Sequence, residues 1–503
     1  MSIVENYIKQ KLDNYKIQVN KIDESLPTRI DSNKSVAIVG SGIAGLTSAV
    51  LLSERGFKVK LFERDNFLGG KVGSWNVKFD DSFESKVEHG FHAFFRQYYN
   101  LREILKKIDA YKYLIPIDDY FIMTKKHGDF SFKDIKTTPV LNILSMRKSG
   151  VYSLKDAISN HKFSNMLALF KYDENKTFEK YDETSFEEFA DYINLPPEMK
   201  LMFTTFSRAF FAEPQYISMA ELIKSFHFYF LSNDHGLLYD VLNDDFQNTL
   251  LNPAEKFIKE NGGEIITNSP INSIQKNDNK FIIKDELFDY LIMATDIHGT
   301  KKIFSNSDFI KSNEPKFYNQ IMDQKKSQRY AVLRLWMDKR IGDNLPFFVF
   351  TDAFKILDSV TFYHNMEKES AEWADKTGGG IYELHSYALP EDFEEADVRD
   401  QFLIEFFEYY PELKSSKILY ENIQIKNDFT AFHTNLHKNR PEYETKIENL
   451  YLTGDWIKLP IPAMLMEASA SSALFSVNDI LKKQGIKPEP ILSVPLRGLL
   501  SKS

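Results

Sequence analysis

The sequence predicts an α/β protein: a discontinuous Rossmann-like domain combined with a mixed α+β second domain. Three observations predict it. Val36 to Gly45 reads as an apolar strand, a G-x-G-x-x-G turn and a helix start. A second strand, Lys58 to Phe62, ends on Glu63, eighteen residues past Gly45. That is close to the ~20 at which an acid grips a ribose hydroxyl. Near the far end, the apolar run Asn449 to Thr453 leads into Gly454-Asp455, so one nucleotide-type motif stands at each end of the chain.

Each residue of the first motif has a reason. Gly40 allows the tight turn, Gly42 lets the backbone approach a pyrophosphate, and Gly45 lets helix pack on strand. Ser41 and Ala44 lie between them, where the helix N-terminus turns unpaired N–H groups and its positive end toward phosphate. After Glu63 and Arg64 comes a second glycine turn, Gly69-Gly70, followed by Lys71. A simple NAD site has no need of that turn, whereas a longer FAD molecule passes close under it, and Lys71 can reach its phosphates or flavin edge. Gly454 lets a ligand approach a strand end, and Asp455 can bond ribityl or phosphate groups. The following helix, Met464 to Ala473, is rich in Ala and Ser, and its N-terminus suits the electron-rich edge of a flavin.

Between these motifs the chain alternates. Residues 1–34 read as a helical lead-in, amphipathic from Val4 to Val19, and a turn-rich linker. Residues 35–110, 251–299 and 416–485 read as the cofactor domain. Residues 111–250 and 300–415 read as the substrate domain, and 486–503 as a tail. Asn252 to Glu260 reads as a helix ended by Asn261-Gly262-Gly263. Strands follow at Glu264 to Thr267 and Pro270 to Ile274, and a hairpin closes with Phe288 to Thr295. Tyr330 to Trp336 reads as a strand of the second unit, with Arg334 and Lys339 as rim charges. Phe203, Phe206, Phe210, Phe211, Phe226, Phe228 and Phe230 read as core.

Composition narrows the function. The 503 residues carry 43% hydrophobic and 27% charged side chains, ordinary for a soluble globular chain. A net charge of −9 argues against nucleic acid as a partner. With no cysteine, disulfides, thiolate catalysis and cysteinyl flavin attachment are excluded. The polar start lacks a signal peptide's apolar core, so a cytoplasmic protein is expected, with membrane-surface contact open. The 42 Phe and 25 Tyr fit either a large aromatic core or a long apolar substrate channel.

Several blocks together resemble FAD-dependent carotenoid desaturases of the phytoene/ζ-carotene type, within the flavin amine oxidase fold group. They are the G-x-G-x-x-G start, Gly69-Gly70-Lys71, Gly90 to Arg102, Phe226 to Leu231, and Gly454 to Pro460 with Met466-Glu467. The long blocks are most similar to the β-carotene desaturase/methyltransferase-like branch, which makes aromatic carotenoid end rings. The resemblance implies FAD contacts at Gly40, Ser41, Gly42 and Gly45 for the pyrophosphate and Glu63 for the ribose. Arg64, Gly70 and Lys71 would flank the cofactor, and Ile271 would meet the adenine through its backbone. His92, Ala93 and Tyr98 would lie near the isoalloxazine, and Gly454, Asp455 and Met466 would close the ribityl and ring end. Ala468 and Ala473 stand where the family has glycines. No strong nucleophile is evident, and His92 and Arg96 are the catalytic candidates.

The expected reaction is hydride transfer from a long apolar polyene or isoprenoid to flavin, with quinone or oxygen as later electron acceptor. Three alternatives stay open: an amine oxidase with a cage from Trp336, Trp373 and Trp456, a redox-neutral polyene isomerase, and a flavin-free lipid-binding escort. A membrane-soluble substrate calls for peripheral docking, with Pro139 to Leu144 beside Arg147 and Lys148 as the candidate patch.

Overall fold

The computed structural model describes residues 15–501 apart from 118, 120, 126–128, 132, 134–135, 140–160, 343 and 353–354. Most of the helix expected from Val4 to Val19, and nearly all of the proposed membrane patch, lie outside the described residues. The described end of that helix is instead a short strand. Ile17–Gln18 pairs antiparallel with Leu492–Ser493, because the C-terminal tail returns to offer it a backbone edge.

The apolar run at Val36 builds the centre of a five-stranded parallel sheet. Its spatial order is Glu264–Ile266, Lys58–Phe62, Ser35–Val39, Tyr290–Met293 and Leu450–Leu452. Ile38 lies opposite both Leu61 and Ile292, and Ile292 lies opposite Tyr451. Strands distant in sequence are therefore direct neighbours, and Ser35–Val39, Tyr290–Met293 and Leu450–Leu452 are buried almost throughout, as the interior of a parallel sheet requires. Helices Ile43–Glu54 and Leu465–Lys483 pack against one another beside this sheet. Buried Ala468 and Ala473 belong to the packed interior of the second helix.

Two sequence expectations change here. Tyr290–Met293 is an inner parallel strand rather than a hairpin arm. The antiparallel strands are Gln275–Asn277, Lys280–Ile283 and Glu286–Phe288. An all-buried run such as Tyr-Leu-Ile-Met satisfies either reading locally, and only the neighbouring strand decides. Pro270 to Ile274 carries no strand.

The second large sheet has seven strands. Its order is Ile418–Lys426, Tyr330–Met337, Gly380–Ser386, Ser359–Phe362, Phe348–Thr351, Phe121–Met123 and Phe130–Ser131. Ile418–Lys426, read from sequence as part of the cofactor domain, is its edge strand. Its residues are half-buried apart from exposed Leu419 and Ile423, which suits an edge better than a buried parallel sheet. Tyr330–Met337 is buried at every position. Ala331, Leu333, Leu335 and Met337 enter the core shared with Phe402 and Phe406 of the helix Glu395–Tyr409. Tyr330, Val332, Arg334 and Trp336 occupy the alternate positions, as strand period dictates. Arg334 is thus 2% exposed, not a rim charge. Its Nε donates to Glu383 at 2.7 Å across the strand pair, and its guanidinium lies 3.8 Å from the Tyr363 ring centre.

Candidate functional site

The two sheets enclose one large cavity, about 430 Å³, with a polar arm over the parallel strands and an aromatic arm against the seven-stranded sheet. The polar arm begins at the first glycine turn. Gly40 has φ +102°, and a Cβ there would sit 2.8 Å from the Ala294 carbonyl oxygen. A Cβ on Gly45 would stand 1.9 Å from the Gly40 carbonyl oxygen, so helix and strand meet at a distance only glycine permits. Gly42 precedes the helix Ile43–Glu54, whose first N–H groups have no intrahelical acceptor. A Cβ on Gly42 would find nothing nearer than the Gly69 carbonyl oxygen at 3.9 Å. The cradle is therefore open where a pyrophosphate needs backbone contact.

Glu63 is buried beneath this turn. Its Oε2 accepts from the Ser41 amide at 3.0 Å and the Ser41 hydroxyl at 2.5 Å, and its Oε1 accepts from the Asp65 amide at 3.0 Å. A carboxylate offers about four acceptor positions, so Oε1 retains one for a ribose hydroxyl. The second glycine turn docks on the first: the Gly69 amide donates to the Ser41 carbonyl at 3.1 Å. Gly69 and Gly70 both have positive φ.

Lys71 projects from that turn. Its Nζ is 3.7 Å from Asp455 Oδ2 and 4.6 Å from the Phe429 ring centre. Burial opposes its charge, but Asp455, Asp428 and Asp296 outweigh that and hold its pKa above the usual lysine value. Gly454, φ +141°, donates its amide N–H to the Ser472 hydroxyl oxygen at 2.8 Å. Leu465, Met466 and Ser469 bring the start of the small-residue helix onto the same wall, while Ala468 and Ala473 do not line it.

Of the residues expected to bind cofactor, all but Gly45 line this one cavity; Gly45 acts one step back, through the helix–strand contact. Arg96 does not line it. The chain pairs at Phe94–Phe95 and turns, leaving Arg96 3.5 Å from Asp240. His92 lines it, with Nδ1 donating to the Gly90 carbonyl at 2.7 Å. Burial lowers its pKa to about 4, so at neutral pH it is an uncharged ring. Among Trp336, Trp373 and Trp456, only Trp456 lines the cavity; the other two pack with Phe83 in a separate cluster. The three therefore form no cage.

The aromatic arm holds what sequence reading placed in the core. Phe206, Phe210 and Phe211 line it, with Tyr229, Phe348 and Phe429. Phe211 has φ +58° and stacks on Phe429 at 3.5 Å. A left-handed backbone at a non-glycine residue is a useful sign of a functional wall, and sequence alone does not reveal it.

A polar cluster also went unrecognised. The Tyr330 hydroxyl lies 2.6 Å from His89 Nε2 and donates to Asp428 Oδ1 at 3.0 Å, and His89 Nε2 is 3.2 Å from Asp428 Oδ2. Burial opposes the charge of Asp428, yet His89, Lys71 and Lys426 together hold its carboxyl well below the usual range. The available sequence sign was the position of His89 directly before the Gly90-Phe91-His92 block.

Comparison with known proteins meets this geometry. A family model described as flavin containing amine oxidoreductase matches residues 43–481. The chain belongs to that family. It is a flavoprotein oxidoreductase, and its cofactor is FAD. The chain is 30% identical over 472 residues to a carotenoid phi-ring synthase of Streptomyces griseus, covering 92% of this chain and 91% of the relative. It is 25% identical to a chloroplastic/chromoplastic 15-cis-phytoene desaturase of Arabidopsis thaliana, covering 89% and 80%. Among solved structures, an oxidoreductase from Methanosarcina mazei superposes with TM-score 0.62 at 18% identity, covering 89% of this chain and all of that one. A putrescine oxidase superposes at 0.64 with 12% identity, covering 90% and 99%. These structural likenesses carry the fold alone. The curated relatives place the chain among the carotenoid-biosynthesis members of the family. No helix among the described residues is long and apolar enough to cross a membrane.

Proposed function

We propose that this protein dehydrogenates a carotenoid-like polyene, acting on a cyclic end group that is carried toward an aromatic ring. The observation that supports it is one cavity joining a phosphate-type glycine cradle to an arm walled by Phe and Tyr. Such an arm desolvates a hydrocarbon and offers a polar amine little to bind. The near-full-length likeness to a carotenoid phi-ring synthase adds support for the ring.

In this reading the parallel sheet and its helices hold FAD, and the seven-stranded sheet holds substrate. The Gly40–Gly45 turn and the helix N-terminus take the pyrophosphate, and Glu63 takes the ribose. The Ile271 backbone meets the adenine, with Arg64 at the mouth. Gly70, Lys71, Gly454, Asp455 and Met466 hold the ribityl chain and ring. Ala93, His92 and Tyr98 face the ring from the substrate side. Bound FAD supplies a two-electron acceptor for a hydride from substrate carbon. The protein's own work is to exclude water, align that C–H bond and accept the accompanying proton. Quinone or oxygen takes the electrons onward.

Expression in bacteria that accumulate a bicyclic carotenoid tests the reading. The expected product loses two hydrogens per hydride step, read by mass spectrometry. Unchanged pigment refutes the proposal. A product of unchanged mass assigns isomerisation instead, and a colourless protein that takes up no FAD assigns an escort role.

A further inference from the structure

Each hydride removed leaves a proton on the substrate, inside walls made of aromatic rings. A carbon-bound proton needs an acceptor there and a route to water. The seven-stranded sheet holds a chain of groups suited to both. His385 sits opposite Val332 in the strand Gly380–Ser386 and lines the aromatic arm. A Cβ on Gly90 would stand 3.4 Å from its Cε1 and 3.6 Å from its Nδ1, so a glycine there keeps that ring edge clear. His385 Nε2 is 3.1 Å from Glu383 Oε1, two residues back on the same face. The Tyr363 hydroxyl donates to that oxygen at 3.1 Å and lies 3.4 Å from Glu88 Oε2. Glu88 in turn lines a second, smaller cavity of about 20 Å³, with Glu367 and half-exposed Asp244 on its wall. That volume has room for about one water molecule. His385, Glu383, Tyr363 and Glu88 are each at most 4% exposed.

We propose that His385 accepts the substrate proton at Nδ1 and that Glu383, Tyr363 and Glu88 relay it to the second cavity, an exit separate from the cofactor arm. The inference rests on the dehydrogenase reading above. Atoms and electrons balance with the cofactor as the only oxidant. One C–H bond leaves with its electron pair as hydride. The neighbouring C–H bond gives its proton to His385 and its electron pair to the new C=C bond. The Nε2 proton then passes to Glu383. Tyr363 gives its hydroxyl proton to Glu88 while taking the one from Glu383, and Glu88 hands its own proton to the second cavity in the same step, so neither a phenolate nor a doubly protonated carboxyl forms.

The surroundings favour this direction. A carboxylate at Nε2 fixes the ring proton on that nitrogen and leaves Nδ1 with the lone pair. Burial opposes the charge of Glu383, but Arg334 and His385 hold its pKa down at about 2, so it rests ionised and holds the proton only in passing on the way to Tyr363 and Glu88. At the far end burial pushes Glu88 well above the usual carboxylate range and Glu367 up to about 7, so that end readily holds a proton. His92 also lines both cavities, but its Nδ1 donates to the Gly90 carbonyl, which passes no proton onward.

The test uses FAD-loaded protein with a bicyclic carotenoid in detergent micelles, mixed without oxygen and followed by bleaching of the flavin absorbance. His385→Ala should slow bleaching about 100-fold or more, the scale of a lost general base. Bound FAD and carotenoid affinity should stay unchanged, and added imidazole should restore part of the rate. Glu88→Gln, which keeps the side-chain shape, should slow it too. It should also remove a carboxylic-acid carbonyl band from the infrared spectrum of the resting protein, a readout that needs no turnover. Bleaching at the parent rate in both variants overturns the relay, as does a slow His385→Ala that imidazole leaves unchanged. Failure of the parent protein itself to bleach with any carotenoid overturns the dehydrogenase reading instead.

Discussion

Gly42→Ala separates folding from cofactor binding at one atom. Gly42 has φ −66° and ψ −178°, a backbone that alanine adopts freely. Its new methyl would meet protein no closer than 3.9 Å. The apoprotein should therefore keep its stability, or gain about 0.4–1 kcal/mol from a stiffer unfolded chain. The same methyl stands in the opening between the two glycine turns, where the pyrophosphate must touch helix N–H groups. Displacing one charge-assisted hydrogen bond costs about 1.5–3 kcal/mol. At 1.4 kcal/mol per decade, FAD should bind about 10- to 150-fold more weakly. Gly45→Ala gives the opposite pattern. Its Cβ would fall 1.9 Å from the Gly40 carbonyl oxygen, so helix and strand must part by roughly an ångström. Overpacking of that kind costs about 1–3 kcal/mol in the apoprotein itself. Fluorescence titration of deflavinated protein with FAD, beside thermal unfolding of the apo forms, reads both quantities. Parent-like FAD affinity in Gly42→Ala, or an apo Tm that falls as far as that of Gly45→Ala, refutes the placement of the phosphates.

Other expectations follow from buried charge. Arg334→Met leaves Glu383 without its cation and should cost about 3–5 kcal/mol in denaturant unfolding; a loss under about 1 kcal/mol contradicts the pairing. Burial holds His92, His227 and His433 each down to about 4. A lowered folded-state value means the unfolded chain protonates first. Their contribution is whole above the usual 6.5 and drains away as pH falls toward 4. Stability measured across that window should drop steeply, and less so in His227→Gln; a flat profile speaks against it. Glu467 accepts from the Asn100 and Leu101 amides and the Asn100 side chain, at 2.9–3.0 Å. Glu467→Gln sets an amide donor against donors, so about 1–3 kcal/mol should be lost, and an unchanged Tm would count against this geometry.

The cofactor cradle was legible because its chemistry is local. A strand, three glycines at fixed spacing and a helix start are written within ten residues, and close backbone contact leaves glycine no substitute at Gly40 and Gly45. Gly69-Gly70-Lys71 and Gly454-Asp455 are short turns of the same kind, readable one at a time. What the linear order withheld is adjacency. Tyr290–Met293 became an inner strand only because Ser35–Val39 and Leu450–Leu452 stand on either side of it. Arg334 reads as a rim charge until Glu383 and Glu88 close over it. The Phe206 to Phe211 segment reads as core, and Phe211 does pack on Tyr330 and Val332 of the seven-stranded sheet, yet Phe206, Phe210 and Phe211 also line the cavity. Sequence by itself determined the cofactor class and the strand–turn–helix cradle that holds it, since backbone sterics fix those residue types position by position. Which aromatic rings wall the substrate arm, and which carboxylates line a path out of it, was decided by tertiary structure, because burial and pairing depend on partners tens to hundreds of residues away.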